Sequence, residues 1–266
     1  MSQNNILVPV NLSEQSLIAL EQSYNIAKHT DSVITLLYVG KDPSGEIKAK
    51  LDALAREVFE KSGNKAKVLM LKGNVYKQIL KTAKKINAVM IILGVNASKK
   101  IRNIGNNAFR VVREAACPVI TIKGRQHRSG CKNIVLPLDL TRETREKVKQ
   151  AIEFAKFFGA AVRVVSVRLP KEIRQENKLI AYSHQVKNFI KEKKIDCTIK
   201  TLIGTDIAKL VVNYAHEEDA DLIMIMTQKE INFKELFVGT VAQKIVNTSD
   251  IPVLSIRPMR RGFRSV

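Results

Sequence analysis

Two stretches of the chain carry residue types able to hold an anion: AVMIILGVNASKKIRNIGNNAFRVVREAACPVITI at 88–122 and DLIMIMTQKEINFKELFVGTVAQKIVNTSDIPVLSI at 221–256. Each reads as a buried strand, a long loop, a glycine that opens a helix, and a last apolar strand after a proline. A helix start leaves backbone N–H groups unpaired at the positive end of the helix dipole, and a phosphate can sit on them. In the first stretch the loop runs from Gly94 to Gly105-Asn106, with Lys99, Lys100 and Arg102 between. In the second it runs from Thr227 to Gly239-Thr240, with Glu230 and Glu235 between. Glycine lets backbone approach a ligand closely, and a hydroxyl at the helix start adds a donor. The first stretch keeps the strand-end glycine and a basic loop but lacks the hydroxyl. The second keeps the glycine-hydroxyl pair, and its two carboxylates would repel a phosphate, offset in part by Lys229 and Lys234.

A second pair of positions points to the same chemistry. Asp139 ends the apolar run LPLDLT, and Asn11 ends VPVNLS. A carboxylate there can accept hydrogen bonds from a ribose or an adenine amino group, and an amide is a weaker, ambiguous substitute. Both residues serve equally well to cap a following helix, and the sequence leaves the two readings open. No G-x-S-x-G elbow, G-x-x-x-x-G-K-S/T loop or H-E-x-x-H pair is present, so no catalytic residue is assigned and an enzyme is not expected. Cys117, Cys131 and Cys197 and the four histidines lack metal-ligand spacing, so no metal site is expected. The acids Glu217, Glu218, Asp219 and Asp221 read as a solvated helix end.

The elements that must position these groups follow from hydrophobic periodicity. Runs of β-branched and aliphatic residues (5–10, 32–39, 67–71, 88–93, 119–122) alternate with stretches of helical spacing (13–29, 45–62, 75–86, 106–116), with Ser13 as an N-cap. The order is βαβαβαβαβ, and it restarts at Ile134 after the glycine-containing basic segment GRQHRSGCK. The second copy has strands at 134–138, 161–167, 198–203, 221–226 and 253–256 and helices at 141–158, 171–194, 207–216 and 240–247. The offset between copies is 128 at Pro9 and Pro137, 131 at Gly73 and Gly204, and 134 at Pro118 and Pro252. Strands separated by helices imply two α/β domains, each a five-stranded parallel sheet flanked by helices on both faces. The expected boundaries are 1–124, a basic linker at 125–132, 133–258, and a basic tail at 259–266. Ligands in such sheets bind beyond the strand C-termini, where the strand order reverses.

The net charge is +20, and it is unevenly spread: +10 over residues 1–124, +3 over 125–132, +3 over 133–256 and +4 in the tail from Arg257. Such a field attracts nucleic acid, anionic surfaces or phosphorylated ligands, and a solvated basic surface is the alternative. With Trp absent, a stacking platform for single strands has no support. No apolar run is long enough to span a membrane. The first residues, MSQNNILVPV, lack the pattern of a secretory signal, so a cytoplasmic address is expected.

Apolar strands opening each copy (ILVPVNLSEQS, IVLPLDLTRET), glycine motifs after the fourth strand, and ACPVITI and DIPVLSI endings together resemble the universal stress protein family along both halves. The resemblance implies a Rossmann-like, adenine-nucleotide-binding type of α/β fold. It also implies self-association through the last strand, here those ending in Ile122 and Ile256, and in many members ATP held along G-x-x-G-x9-G-S/T. This chain departs from that motif twice. After Gly94 the second glycine position is Ala97, and Gly105 follows after seven residues; after Thr227 it is Glu230, and Gly239 follows after eight. Carried across by position, the resemblance implies that Asp139 contacts the nucleoside, Val167 lines the base by its backbone, and Gly239, Thr240 and Val241 hold phosphates. In the first copy only Gly94, Gly105 and Val39 remain. The expected protein is a tandem, non-enzymatic stress or regulatory protein with degenerate nucleotide sites. The alternatives are an ATP or adenine-nucleotide binder through the second copy, with slow hydrolysis, and an electrostatic binder of nucleic acid or anionic surfaces.

Overall fold

The computed structural model describes residues 4–40, 44–95, 105–124, 130–140, 144–170, 173–227 and 241–257. The chain divides into two compact units, Met1–Gly130 and Cys131–Val266. In unit 1 the elements run β1 (Asn4–Pro9), α1 (Glu14–Thr30), β2 (Ser32–Gly40), α2 (Gly45–Ser62), β3 (Ala66–Lys72), α3 (Val75–Lys85), β4 (Ala88–Gly94), α4 (Asn106–Glu114) and β5 (Val119–Ile122). Unit 2 repeats the series as β6 (Asn133–Leu138), α5 (Thr144–Phe158), β7 (Ala161–Arg168), α6 (Ile173–Glu192), β8 (Cys197–Ile203), α7 (Ile207–Glu217), β9 (Leu222–Met226), α8 (Val241–Thr248) and β10 (Val253–Ile256). These agree with the periodicity to within a few residues, because the apolar runs are short, dense and bounded by polar turns.

Within unit 1 the strands lie in the order β3-β2-β1-β4-β5 and pair in parallel; within unit 2 the order is β8-β7-β6-β9-β10, again parallel. The strand order therefore reverses between β1 and β4 and between β6 and β9. A crevice opens at the C-terminal end of each reversal, because the chain leaves its two flanking strands in opposite directions. The central strands are buried on both faces, with Ile6, Leu7 and Val8 in unit 1 and Ile134, Val135 and Leu136 in unit 2 fully covered. Each such side chain contributes about 1.5–3 kcal/mol of burial.

Local chemistry fixes the element ends. The side chains of Ser13, Ser44, Asn74 and Asp206 each accept a hydrogen bond from the backbone N–H three residues on, at the starts of α1, α2, α3 and α7. Three of the four acids before β9 do more than face water. Asp221 Oδ2 accepts from the backbone N–H of Lys132 and Asn133 at 2.6 and 3.0 Å, tying the start of β9 to that of β6. Glu217 accepts from Lys200 Nζ at 2.8 Å, and Glu218 lies 3.6 Å from Arg163 Nε.

The cysteines are free thiols, Cys197 buried and Cys117 and Cys131 half-buried. Burial pushes Cys117 and Cys197 up to about 11 and Cys131 up to about 12. Among the described residues no helix is long and apolar enough to cross a membrane, and no group of three His, Cys, Asp or Glu could hold a metal ion. Most of the linker (125–129) and the residues of the tail from 258 lie outside the described residues, so the electrostatic expectation attached to them stays with the sequence.

One close approach sets the geometry of the unit 1 crevice. A Cβ added to Gly94 would lie 2.3 Å from the Gln15 carbonyl oxygen and 2.9 Å from Ser16 Cα, backbone atoms of the first turn of α1. By contrast, a Cβ on Gly105 would meet nothing within 4 Å. Gly94→Ala is expected to cost about 1–3 kcal/mol, since backbone must move to admit the methyl group. Gly105→Ser should stabilise α4 by about a few tenths of a kcal/mol by capping it. Urea unfolding followed by hydrogen exchange of the α1 and α4 amides measures both; equal effects at the two glycines would contradict the contact.

Candidate functional site

The residues singled out in the first copy lie at the ends of β1, β2 and β4 and at the start of α4. Asn11 Oδ1 accepts from the Ser13 backbone N–H at 3.1 Å and from Ser13 Oγ–H at 2.6 Å. Its amide is thus part of the turn that starts α1, a turn in which Leu12 adopts a left-handed φ of 62°. Gly94 is consumed by the packing just described. Gly105 is the exposed N-cap of α4 and makes no side-chain cap, and Val39 is half-buried near the end of β2.

In unit 2 three predicted residues meet. Asp139 follows β6, Val167 lies near the end of β7, and Val241 opens α8; all three line one cavity of about 270 Å³ at the β6/β9 reversal. Most of the wall is apolar: Pro137 and Leu138 from β6, Val165 from β7, Ile207 and Val211 from α7, Ile225 and Met226 from β9, Ala242 and Ile245 from α8. The volume lies just under the ~300 Å³ lower end for small-molecule pockets, so it suits a ring-sized body. Gly239 and Thr240 lie outside the described residues, as do Lys99, Lys100, Arg102, Glu230 and Glu235.

Thr227 stands elsewhere than its expected place. In the β4–β5 ladder Gly94 is opposite Ile122, and in the β9–β10 ladder the residue opposite Ile256 is Met226. The next residue along, Val95 in unit 1 and Thr227 in unit 2, donates its backbone N–H to the Ile122 or Ile256 carbonyl at 2.8 Å. Thr227 Oγ1 also donates to the Ile256 carbonyl at 3.3 Å, and the side chain is buried. The counterpart of the strand-end glycine is therefore Met226. Met226 carries at this place the side chain that Gly94 lacks, and it lines the cavity.

The periodicity reading passed over one more residue. Lys147, in the first turns of α5, is 6% exposed and lines the cavity. The 128-residue offset sets it against Ala19, which is fully buried, and the buried positions agree in phase: Leu20 with Val148, Ser23 with Ala151, Ala27 with Ala155. That comparison was open to the sequence. Desolvation holds the Lys147 ammonium below the usual lysine range, and the Asp139 carboxylate opposes that shift. Among the described residues the ammonium makes no hydrogen bond.

Comparison with known proteins gives the following. The family model described as the universal stress protein family matches residues 3–123 and again 130–257. The universal stress protein MJ0531 of Methanocaldococcus jannaschii is 29% identical over 144 residues, 49% of this chain and 84% of that protein. The Na(+)/H(+) antiporter NhaS5 of Synechocystis sp. is 24% identical over 263 residues, 91% of this chain but 36% of that protein. Among solved structures, a universal stress protein from Archaeoglobus fulgidus matches with a TM-score of 0.80 and 19% identity, covering 97% of this chain and 100% of that one.

The buried lysine gives a pH signature with a definite sign. Between its lowered native value and the ordinary 10.5, the unfolded chain binds the proton and the native chain does not, so its contribution to stability rises with pH across that window. Lys147→Met removes the effect. The stability difference, Lys147→Met minus native, is expected to be largest below the native value and to shrink as pH approaches 10.5. Urea midpoints of both proteins across this range measure it, and a pH-independent difference would contradict the burial.

Proposed function

Because the chain belongs to the universal stress protein family, with one family unit in each half, we propose that it is a non-enzymatic stress-response regulator whose two nucleotide-type sites have both departed from triphosphate binding. The observation that carries this reading is Met226, standing at the strand end where unit 1 has Gly94. A side chain there takes up room at the strand end where unit 1 has backbone alone. In unit 1 the glycine is kept, but its open side is occupied by α1 and the Asn11 amide is engaged in a turn. On this reading the protein acts in the cytoplasm through self-association or a partner protein.

A second reading, adenine-nucleotide binding through unit 2, is favoured by the convergence of Asp139, Val167 and Val241 on one cavity. Asp139 would then take the ribose hydroxyls and Val167 the base. Native mass spectrometry of the purified chain and calorimetry with millimolar ATP decide between the two. The first reading expects no stoichiometric nucleotide and no saturable heat. A co-purifying adenine nucleotide that disappears in Asp139→Ala would replace it with the second.

A further inference from the structure

We propose that the unit 2 cavity is a receptor site for a small organic acid anion with an apolar ring-sized body, whose charged group pairs with the Lys147 ammonium. Of the residues lining the cavity, Lys147 and Asp139 are the charged ones, and they differ in placement: Lys147 is buried and Asp139 exposed. The inner wall therefore offers a cation set among valine, isoleucine, leucine and methionine side chains. A buried charge is costly unless it is paired.

The fold itself does not require this cation. At the matching position of α1, unit 1 has Ala19, fully buried, in a helix of the same phase against the same strands of its sheet. A lysine where an alanine suffices, on the buried face of a helix and beside a cavity, is an expense that a ligand can recover. Its long stem can run along apolar surface while the ammonium faces the open volume. Burial lowers its affinity for the proton, which the Asp139 carboxylate opposes in part, and an entering anion would add to that opposition from inside the cavity.

Two further features select the ligand. Lysine has three donors and no acceptor, so the group facing it must accept hydrogen bonds. The Asp139 carboxylate repels a second negative charge at the exposed side, which orients a monoanion with its charged end inward. Met226 and the facing valines and isoleucines then cover the body, the thioether adapting to its outline. A neutral molecule of the same shape would give the ammonium no counter-charge.

The probes are 1-naphthoate and its neutral isostere 1-naphthamide, titrated by calorimetry and ligand fluorescence into the full chain, the Lys147→Met variant and the charge-retaining Lys147→Arg variant. The expected result is saturable one-to-one binding of the acid, about ten- to a hundredfold tighter than the amide, as for a hydrogen bond to a charged group. That preference should vanish in Lys147→Met and persist in Lys147→Arg. Anion binding to the basic surface would survive Lys147→Met. Equal affinity for acid and amide, an acid preference that Lys147→Met retains, or no saturable binding of either probe to the native chain overturns the proposal. Should Lys147→Met fail to fold, the acid-to-amide ratio in the native chain still decides.

Discussion

The distance between the first turn of α1 and the end of β4 depends on one missing side chain. In unit 1 that distance is as short as backbone allows, because residue 94 has no Cβ and the Gln15 carbonyl occupies the space one would take. In unit 2 the equivalent strand residue is methionine, which carries the side chain that Gly94 lacks. The cavity of unit 2 lies at this strand end, with Met226 in its wall. The two strand ends thus differ by a whole side chain, while both sheets keep the same order and the same parallel pairing.

Much of this architecture was legible in the residues. Dense apolar runs between polar turns gave the strands, helical spacing gave the helices, and Ser13 announced the start of α1 through its hydroxyl, which accepts from the Ser16 backbone N–H. Repeated punctuation gave the duplication, since prolines and glycines fall at the same points of each copy. The local signals sufficed because each element's conformation is set within a few residues of itself.

What stayed hidden depended on pairing across the sheet. The run Leu222–Met226 is uniformly apolar, so nothing within it says which residue ends level with Gly94, and a slip of one residue leaves the pattern unchanged. Only the ladder to β10 fixes Met226 at that place. Lys147 was legible only by comparison. In a helix of mixed composition a lysine reads as solvent-facing, and the match to Ala19 across the repeat places it on the buried face. The acids before β9 were similarly misjudged in Asp221, whose partners are backbone groups of residues 132 and 133, far away in sequence.

The sulfur chemistry of the fold bears on how such a protein could sense stress. With thiols pushed up to about 11 or 12 by burial, the thiolate fraction at neutral pH falls to roughly one in ten thousand or less. Peroxides react with the thiolate, so Cys117, Cys131 and Cys197 are poor first targets on the oxidation ladder. They form no disulfide with one another, and their burial shields them further. On these three thiols a change in cellular redox state has little to act on, and a signal reaching this chain as a bound molecule or a docked protein needs none of them.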